Sequence, residues 1–278
     1  MITTDFVTGS PCWLDLGATD IEASADFYGR VFGWQAVSAG ARMAGYRVMN
    51  SDGAAVAGIG PRIDEDEPPE WGVQFWVPDI EAAALRAQEL GGTVLVEPTV
   101  LYEFGQLAHI TDPQGGWFTL WQPGTFTSAQ AVDRPNTLCW VELWTPSAQG
   151  AKEFYGGLFG WEFKDVELPG DQGTYSTVRP AGLGEDRYFG GLMDVAADQL
   201  PQAEGRADWH PVFQVADCDE AVAAVKTAGG RVHMGPEDAP GVGRLAVCSD
   251  PFSAGFVVLD PGAGRLHPEE GLVGPGRS

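Results

Sequence analysis

The stretch DFYGRVFGWQ, residues 26–35, returns almost unchanged as EFYGGLFGWE, residues 153–162. The two stretches lie 127 positions apart, and the same offset joins Cys12-Trp13 to Cys139-Trp140. A constant offset between several motifs indicates a duplicated unit rather than chance composition. The sequence therefore predicts two tandem copies of one structural unit.

The later part of each copy is also repeated, with a larger offset. Trp71 is matched by Trp209, and Asp112 by Asp250, in each case 138 positions further along the chain. The second copy therefore has 11 more residues than the first, which is the difference between 138 and 127. We place the additional residues in two loops, around LPGDQG and AGLGEDRYFG.

Each copy contains two similar halves. The first half begins with a predicted strand and turn, followed by a helix in which Ala25, Tyr28 and Phe32 recur at helical spacing. Asp20 is the predicted N-cap of this helix, and Gly33 is its predicted end. The second half repeats this plan, and short strands follow each helix. Each copy is therefore predicted to be βαβββ twice, without the regular alternation of a parallel doubly wound fold.

Taken together, these motifs resemble the vicinal oxygen chelate superfamily, which includes glyoxalase I, the bleomycin-resistance proteins and the extradiol dioxygenases. The resemblance rests on DIEASADFYGRVFGW with DPQGGWFTLW, and on AQGAKEFYGGLFGW with DPFSAGFVVL. It implies an α+β fold with two tandem glyoxalase-like domains. In each domain, two βαβββ units would form a curved mixed sheet, a cup, with the helices on its outer face. The predicted domains span residues 8–123 and 135–262, followed by a flexible tail at 263–278.

Charge and cysteine usage narrow the choice of partners. The chain has a formal net charge of -23, from 39 acidic and 16 basic residues. Such a surface repels phosphate backbones and anionic membranes. We expect no signal peptide and no membrane span, and the four cysteines are too scattered for a disulfide framework. These features predict a cytoplasmic protein that binds neither nucleic acid nor membrane. The resemblance implies that a small molecule binds in the cup, and we expect a monomer or homodimer.

The resemblance also implies a divalent metal held by side chains of the first, fifth and last strands of each domain. The corresponding positions in this chain hold Trp13, Gly72, Thr119, Trp140, His210 and Val257. Of these side chains only that of His210 is a usual metal ligand, and a metal site needs several converging donors. We therefore expect no metal and no other cofactor. The alternative is an unusual site in which His210 approaches Asp15, Glu142 or His109 across the copies.

Tryptophans occupy many of the predicted inward positions. Because side chains alternate along a strand, the ligand positions of the family indicate which side chains line the cup. Flat indoles suit a planar or aromatic ligand, although they would also serve as ordinary core residues. The predicted ligand-binding residues are Trp13, Gln74, Trp76, Trp117, Thr119, Trp121, Trp140, Trp144 and His210.

Three inward polar residues are candidates for catalysis. Asp15 and Glu142 are equivalent acids in the two copies, and His109 shares the inward parity of its strand. Carboxylates and imidazoles in such positions suit acid–base chemistry, but they also suit the binding of a cationic or hydroxyl-bearing ligand.

Three functions remain open at this point. The first is a small-molecule-binding protein that lacks an intact metal site and takes a planar ligand in a tryptophan-lined cup. The second is an enzyme, either a glyoxalase-like lyase or a metal-independent acid/base catalyst acting on a natural product or reactive carbonyl. The third is a non-catalytic structural or interaction protein.

Overall fold

A computed structural model describes residues 1–62, 68–168, 173–200 and 204–262. In these residues the chain forms the pattern βαβββ four times in succession. The helices are α1 (Ile21–Phe32), α2 (Ile80–Glu89), α3 (Ala148–Phe159) and α4 (Cys218–Thr227). The strands of the first copy are β1 (Pro11–Ala18), β2 (Gln35–Ser38), β3 (Arg47–Ser51), β4 (Ala54–Pro61), β5 (Glu70–Trp76), β6 (Thr93–Leu101), β7 (Gly105–Thr111) and β8 (Trp117–Pro123). Those of the second copy are β9 (Thr137–Thr145), β10 (Glu162–Glu167), β11 (Thr174–Arg179), β12 (Gly190–Asp194), β13 (Asp208–Gln214), β14 (Arg231–Ala239), β15 (Gly243–Ser249) and β16 (Gly255–Asp260).

The strands form two mixed sheets of eight strands, one from each copy. The strand order is β2-β3-β4-β1-β5-β8-β7-β6 in the first sheet and β10-β11-β12-β9-β13-β16-β15-β14 in the second. The pairs β5–β8, β9–β12 and β13–β16 are parallel, whereas neighbours such as β7 and β8 are antiparallel. The identical order confirms the tandem duplication and the α+β fold class.

The helix boundaries follow from local chemistry. The Asp20 side chain accepts a hydrogen bond from the amide of Ala23 at the start of α1. Gly33 ends this helix in the left-handed region with φ +71, which costs glycine little because it has no Cβ. Ser147 and Gly160 do the same for α3. The predicted N-cap and helix end are therefore confirmed.

The contacts between residues divide the chain into two compact units, each of which draws on both copies. The first unit comprises Met1–Asp15, Trp71–Val132 and Trp140–Pro211. The second comprises Leu16–Glu70, Asp133–Cys139 and the segment that begins at Val212. Each unit thus combines half of one copy with half of the other. The domain boundaries given above describe the sequence copies and stay a prediction.

In the first unit, one face of β5 and β8 packs on helix α3, which comes from the other copy. The rings of Phe75 and Phe118 lie 5.5 Å and 6.1 Å from the ring of Phe159. Tyr155 stacks on Trp161 with a centroid distance of 5.0 Å. All five side chains are buried, so this face of the sheet belongs to the core and the opposite face is left for other roles.

A buried hydrogen-bond network, which we call the Asp112 network, crosses this core. The hydroxyl of Tyr155 donates to Asp112 Oδ2 at 3.0 Å, and Trp209 Nε1 donates to the same hydroxyl at 2.9 Å. Asp112 Oδ1 accepts from the amides of Gln114 and Gly116 at 2.8 Å and 2.9 Å. Burial, followed by the charge of Asp112, raises the pKa of Tyr155 well above its usual range, so this hydroxyl remains a donor.

The second unit has the equivalent packing, with a helix of the first copy on strands of the second copy. Helix α1 packs on β13 and β16, where Phe32 lies 5.0 Å from Phe213 and Phe27 lies 6.3 Å from Phe256. The hydroxyl of Tyr28 is 3.4 Å from Asp250 Oδ2, in the place of the Tyr155–Asp112 contact. Tyr28 and Phe32 of α1 are thus core residues, as Tyr155 and Phe159 of α3 are in the first unit.

Several predicted segments fall partly or wholly outside the described residues. Residues 169–172 of LPGDQG and the predicted tail at 263–278 lie outside them. The other predicted loop, AGLGEDRYFG, contains a short 3-10 turn at Glu185–Arg187. None of the helices found in the described ranges has the length and apolar character needed to cross a bilayer.

Candidate functional site

A row of polar side chains crosses the inner face of the first sheet, opposite the core face. The strand register places Gln74 beside Thr119, and Thr119 beside His109, on β5, β8 and β7. Asp15 of β1 joins the row because its carboxylate accepts hydrogen bonds from Gln74 Nε2 and, at 3.1 Å, from Trp13 Nε1. The structure thus brings these five predicted site residues together.

The tryptophans of this first face differ in their exposure. Trp13 and Trp121 are only 2% and 3% exposed. Phe126, from the segment between the copies, packs against Trp13 at 4.9 Å and against Trp121 at 6.1 Å. Trp76 and Trp117 remain partly exposed. The accessible part of the first face is therefore smaller than the sequence pattern alone indicates.

His109 is the titratable group at the end of the polar row. Its Nδ1 lies 2.8 Å from the hydroxyl of Thr119. Burial lowers the pKa of His109 to about 4, because a desolvated imidazolium is costly. At neutral pH the ring is therefore uncharged, and it can act as a hydrogen-bond partner or a weak base but not as a cation.

The inner face of the second sheet contains a chain of hydrogen bonds through Tyr175. Trp140 Nε1 donates to the Tyr175 hydroxyl at 2.8 Å, and this hydroxyl donates to Glu142 Oε1 at 2.9 Å. Burial and the negative charge of Glu142 raise the pKa of Tyr175, so the phenol stays protonated. Gly191 makes room for the phenol, since a Cβ there would lie 2.1 Å from the Tyr175 hydroxyl oxygen.

His210 and Trp144 form a second group on this face. Their rings stack with a centroid distance of 4.2 Å and an interplanar angle of 35°. His210 is 5% exposed, and its Nε2 lies 3.3 Å from Asp208 Oδ2. His210 therefore contacts Trp144 and Asp208. The hydrogen bonds described above for Asp15 and His109 are with residues of the first sheet and not with His210.

The sequence interpretation did not include Tyr175, Asp208 or Phe126. Asp208 could have been found, because it lies two residues before His210 and therefore shares its face of the strand. Tyr175 lies in a short strand whose inward parity the sequence interpretation did not assign. Phe126 lies in the segment between the copies, where no periodic pattern indicates its direction.

The residues at the positions that bind metal in the family do not fit a divalent cation. Trp117 occupies the space beside Gly72, where a Cβ would lie 2.1 Å from its ring. Thr119 is engaged with His109, and Trp140 and Val257 offer no donor of the kind that these metals take. In the ranges that the structure describes, no group of three His, Cys, Asp or Glu side chains could hold a metal ion.

Replacing Tyr175 with phenylalanine is expected to lower the free energy of unfolding by about 1–2 kcal/mol, because it leaves Trp140 Nε1 and Glu142 without their shared partner. Urea denaturation followed by fluorescence would measure the change. Tyr188→Phe is the matched control, since Tyr188 is also buried but its hydroxyl takes part in none of the hydrogen bonds found among the described residues. Equal effects of the two substitutions would contradict a specific role for the Tyr175 hydroxyl.

Comparison with known proteins identifies the family to which the sequence is similar. The model of the "Glyoxalase/Bleomycin resistance protein/Dioxygenase superfamily" matches residues 12–120 and 137–258. "Anthracycline biosynthesis protein DnrV" of Streptomyces peucetius is 33% identical over 272 residues, covering 92% of this chain and 95% of the relative. "Putative glyoxylase CFP32" of Mycobacterium tuberculosis (strain CDC 1551 / Oshkosh) is 34% identical over 263 residues, covering 93% and 97%.

Solved structures support the same fold at much lower identity. The 2,3-dioxygenase LapB from Pseudomonas sp. KL28 has a TM-score of 0.64 and 14% identity, covering 96% of this chain and 97% of that one. The Mn(II)-bound glyoxalase from Novosphingobium aromaticivorans has a TM-score of 0.61 and 15% identity, covering 94% and 85%. The match of both repeats to the family model, together with the full-length relatives, shows that this chain belongs to the glyoxalase/bleomycin resistance protein/dioxygenase superfamily.

Proposed function

We propose that this protein binds a planar aromatic small molecule on a tryptophan-lined sheet face, without the metal centre of metal-dependent superfamily members. The observation that carries this proposal is the presence of partly exposed indoles beside ordered polar side chains. Trp76 and Trp117 have this position on the first face, and Trp140 and Trp144 have it on the second. Indoles supply flat apolar walls, and neighbouring polar groups fix the orientation of a ligand.

Two further observations favour such a ligand. One relative is named for anthracycline biosynthesis, and anthracyclines carry a planar fused-ring chromophore. The net charge of -23 disfavours nucleic acids and anionic membranes as partners. The cytoplasmic location and the monomeric or homodimeric state stay predictions.

Equilibrium dialysis with 9,10-anthraquinone tests this proposal with an uncharged planar probe. We expect binding, and we expect it to weaken about tenfold in Trp76→Leu if the first face is the site and in Trp144→Leu if the second face is, because loss of one stacking wall removes roughly 0.5–1.5 kcal/mol beyond the area term. Leu85→Ala, on the exposed side of α2 where Leu85 is 59% exposed, is the control that should leave affinity unchanged. Absence of anthraquinone binding, or binding that neither tryptophan substitution weakens, would count against the proposal.

A glyoxalase-like enzyme is the second candidate function. It is favoured by the partly exposed Glu142 carboxylate, which Tyr175 orients through a 2.9 Å hydrogen bond, and by the relative whose name is "Putative glyoxylase CFP32". A spectrophotometric assay with methylglyoxal and glutathione, with and without added divalent metal, would detect such turnover. Loss of turnover in Glu142→Gln with unchanged folding would then replace the binding proposal by an enzymatic one.

A further inference from the structure

Two buried nitrogen atoms on the second inner face have no hydrogen-bond partner among the described residues. They are Nδ1 of His210 and Nε1 of Trp144. The two atoms belong to rings that stack on each other at 4.2 Å. A buried polar atom without a hydrogen-bond partner lowers the stability of the folded state by about 1–3 kcal/mol, and such atoms are rare in native proteins. Two of them side by side therefore indicate a place where a ligand supplies the missing partners.

Both rings lie on the side of the sheet that faces away from the aromatic core. Trp209, the residue before His210, points into the core and donates to Tyr155. Because neighbouring residues of a strand point to opposite faces, His210 points away from that core. Trp144 shares its strand parity with Trp140 and Glu142, both of which bind Tyr175 on the inner face.

The partners of the two rings define what the unpartnered atoms can do. Asp208 lies 3.3 Å from His210 Nε2, and a carboxylate in that position favours the tautomer with the proton on Nε2. Nδ1 of this tautomer is then a hydrogen-bond acceptor. The indole Nε1 of Trp144 is a donor only. The pair therefore complements a ligand that offers both a hydroxyl group and a carbonyl oxygen.

The first face lacks this pair. Its imidazole, His109, already has Nδ1 engaged with Thr119, and Gly72 occupies the position equivalent to His210. Trp121 Nε1 is also without a partner there, but the ring of Trp121 is buried and packs against Phe126. An acceptor and a donor are thus both left unpaired, next to partly exposed indoles, on the second face.

We propose that the second inner face, formed by Trp140, Glu142, Trp144, Tyr175 and His210, is the ligand site, and that its ligand is an aromatic compound with a hydroxyl group and a carbonyl group. The hydroxyl donates to His210 Nδ1, and the carbonyl accepts from Trp144 Nε1. Asp208 is a positioning residue that acts through His210. This inference rests on the proposed function and adds the location of the site and the polar pattern of the ligand.

The test compares two probes that differ by one hydroxymethyl group, 9,10-anthraquinone and 2-(hydroxymethyl)-9,10-anthraquinone, by equilibrium dialysis with the full chain at pH 8. This pH lies above the range in which an ordinary imidazole takes up a proton, and an alcohol hydroxyl keeps its proton there. We expect the hydroxylated probe to bind about tenfold more tightly, as one well-formed hydrogen bond allows. His210→Phe should reduce this preference to about twofold or less, because phenylalanine keeps a ring against Trp144 but offers no acceptor for the hydroxyl.

Asp208→Ala provides an independent variant, since the side chain of Asp208 is 23% exposed and its removal leaves the packing of His210 in place. It should also reduce the preference for the hydroxylated probe, even if His210→Phe fails to fold. Equal affinities of the wild-type chain for the two probes, or a preference that survives in either variant, would overturn this inference. Failure of the wild-type chain to bind anthraquinone at all would instead refute the proposed function.

Discussion

Replacing Asp112 with alanine is expected to lower the free energy of unfolding by about 3 kcal/mol or more. The carboxylate accepts hydrogen bonds from the Tyr155 hydroxyl and from the amides of Gln114 and Gly116. The substitution leaves these donors unpaired, in a region where Asp112 itself is only 3% exposed. Hydrogen bonds to a charged group contribute about 1.5–3 kcal/mol each, which is more than a hydrogen bond between neutral groups contributes. The loss of all three is therefore expected to be large. Urea denaturation at pH 7, followed by fluorescence and circular dichroism, would measure the loss.

Asp250→Ala is the matched control, because Asp250 occupies the equivalent turn of the second copy. Its Oδ1 accepts from the amides of Phe252 and Ala254, but Tyr28 reaches its Oδ2 only at 3.4 Å. We therefore expect a smaller loss than for Asp112. Tyr155→Phe, which removes only the hydroxyl contacts, should give part of the Asp112 effect. A loss below about 1 kcal/mol for Asp112→Ala would contradict the stabilising role of the Asp112 network.

The repeat pattern predicts the elements and their order well because they depend on local chemistry. The N-cap at Asp20 and the left-handed glycine at Gly33 each act within a few residues of their own position. Which half of one copy packs against which half of the other does not follow from local chemistry. The apolar face of α3, with Phe154 and Tyr155, is nearly identical to that of α1, with Phe27 and Tyr28. Two equivalent helices suit two equivalent sheets, so the sequence alone does not determine which helix covers which sheet.

The candidate site likewise has a part that follows from local strand patterns and a part that depends on contacts between distant segments. Strand alternation, combined with the ligand positions implied by the family resemblance, indicated that Gln74, Thr119 and His109 lie on one face, and the register places them side by side. The burial of Trp13 and Trp121 was not foreseen because it depends on Phe126, which lies outside any strand. Contacts made by irregular segments have no period in the sequence. Whether each predicted residue takes part in binding stays a prediction.

His109 is expected to make the protein less stable as the pH falls from 7 to 5. In the folded state burial lowers its pKa to about 4, whereas in the unfolded chain an imidazole titrates near 6.5. Between these values the unfolded state binds more protons, so the free energy of unfolding decreases as the pH decreases. Each pH unit below the unfolded pKa costs about 1.4 kcal/mol, which gives a loss of about 2 kcal/mol by pH 5.

The measurement is the difference between the wild-type chain and His109→Gln in urea denaturation at pH 7, 6 and 5. Glutamine can still hydrogen-bond Thr119 but does not titrate, so the variant should lack the part of the pH slope that His109 contributes. All other groups, including the buried Asp112 and Asp250 whose pKa values burial raises, are common to both proteins and cancel in the difference. Working at pH 5 and above keeps the chain away from its isoelectric point of about 4.3, near which low net charge promotes aggregation. Parallel pH profiles for the two proteins would show that the imidazole of His109 is accessible to water in the folded state, and hence that the polar row of the first face is open rather than buried.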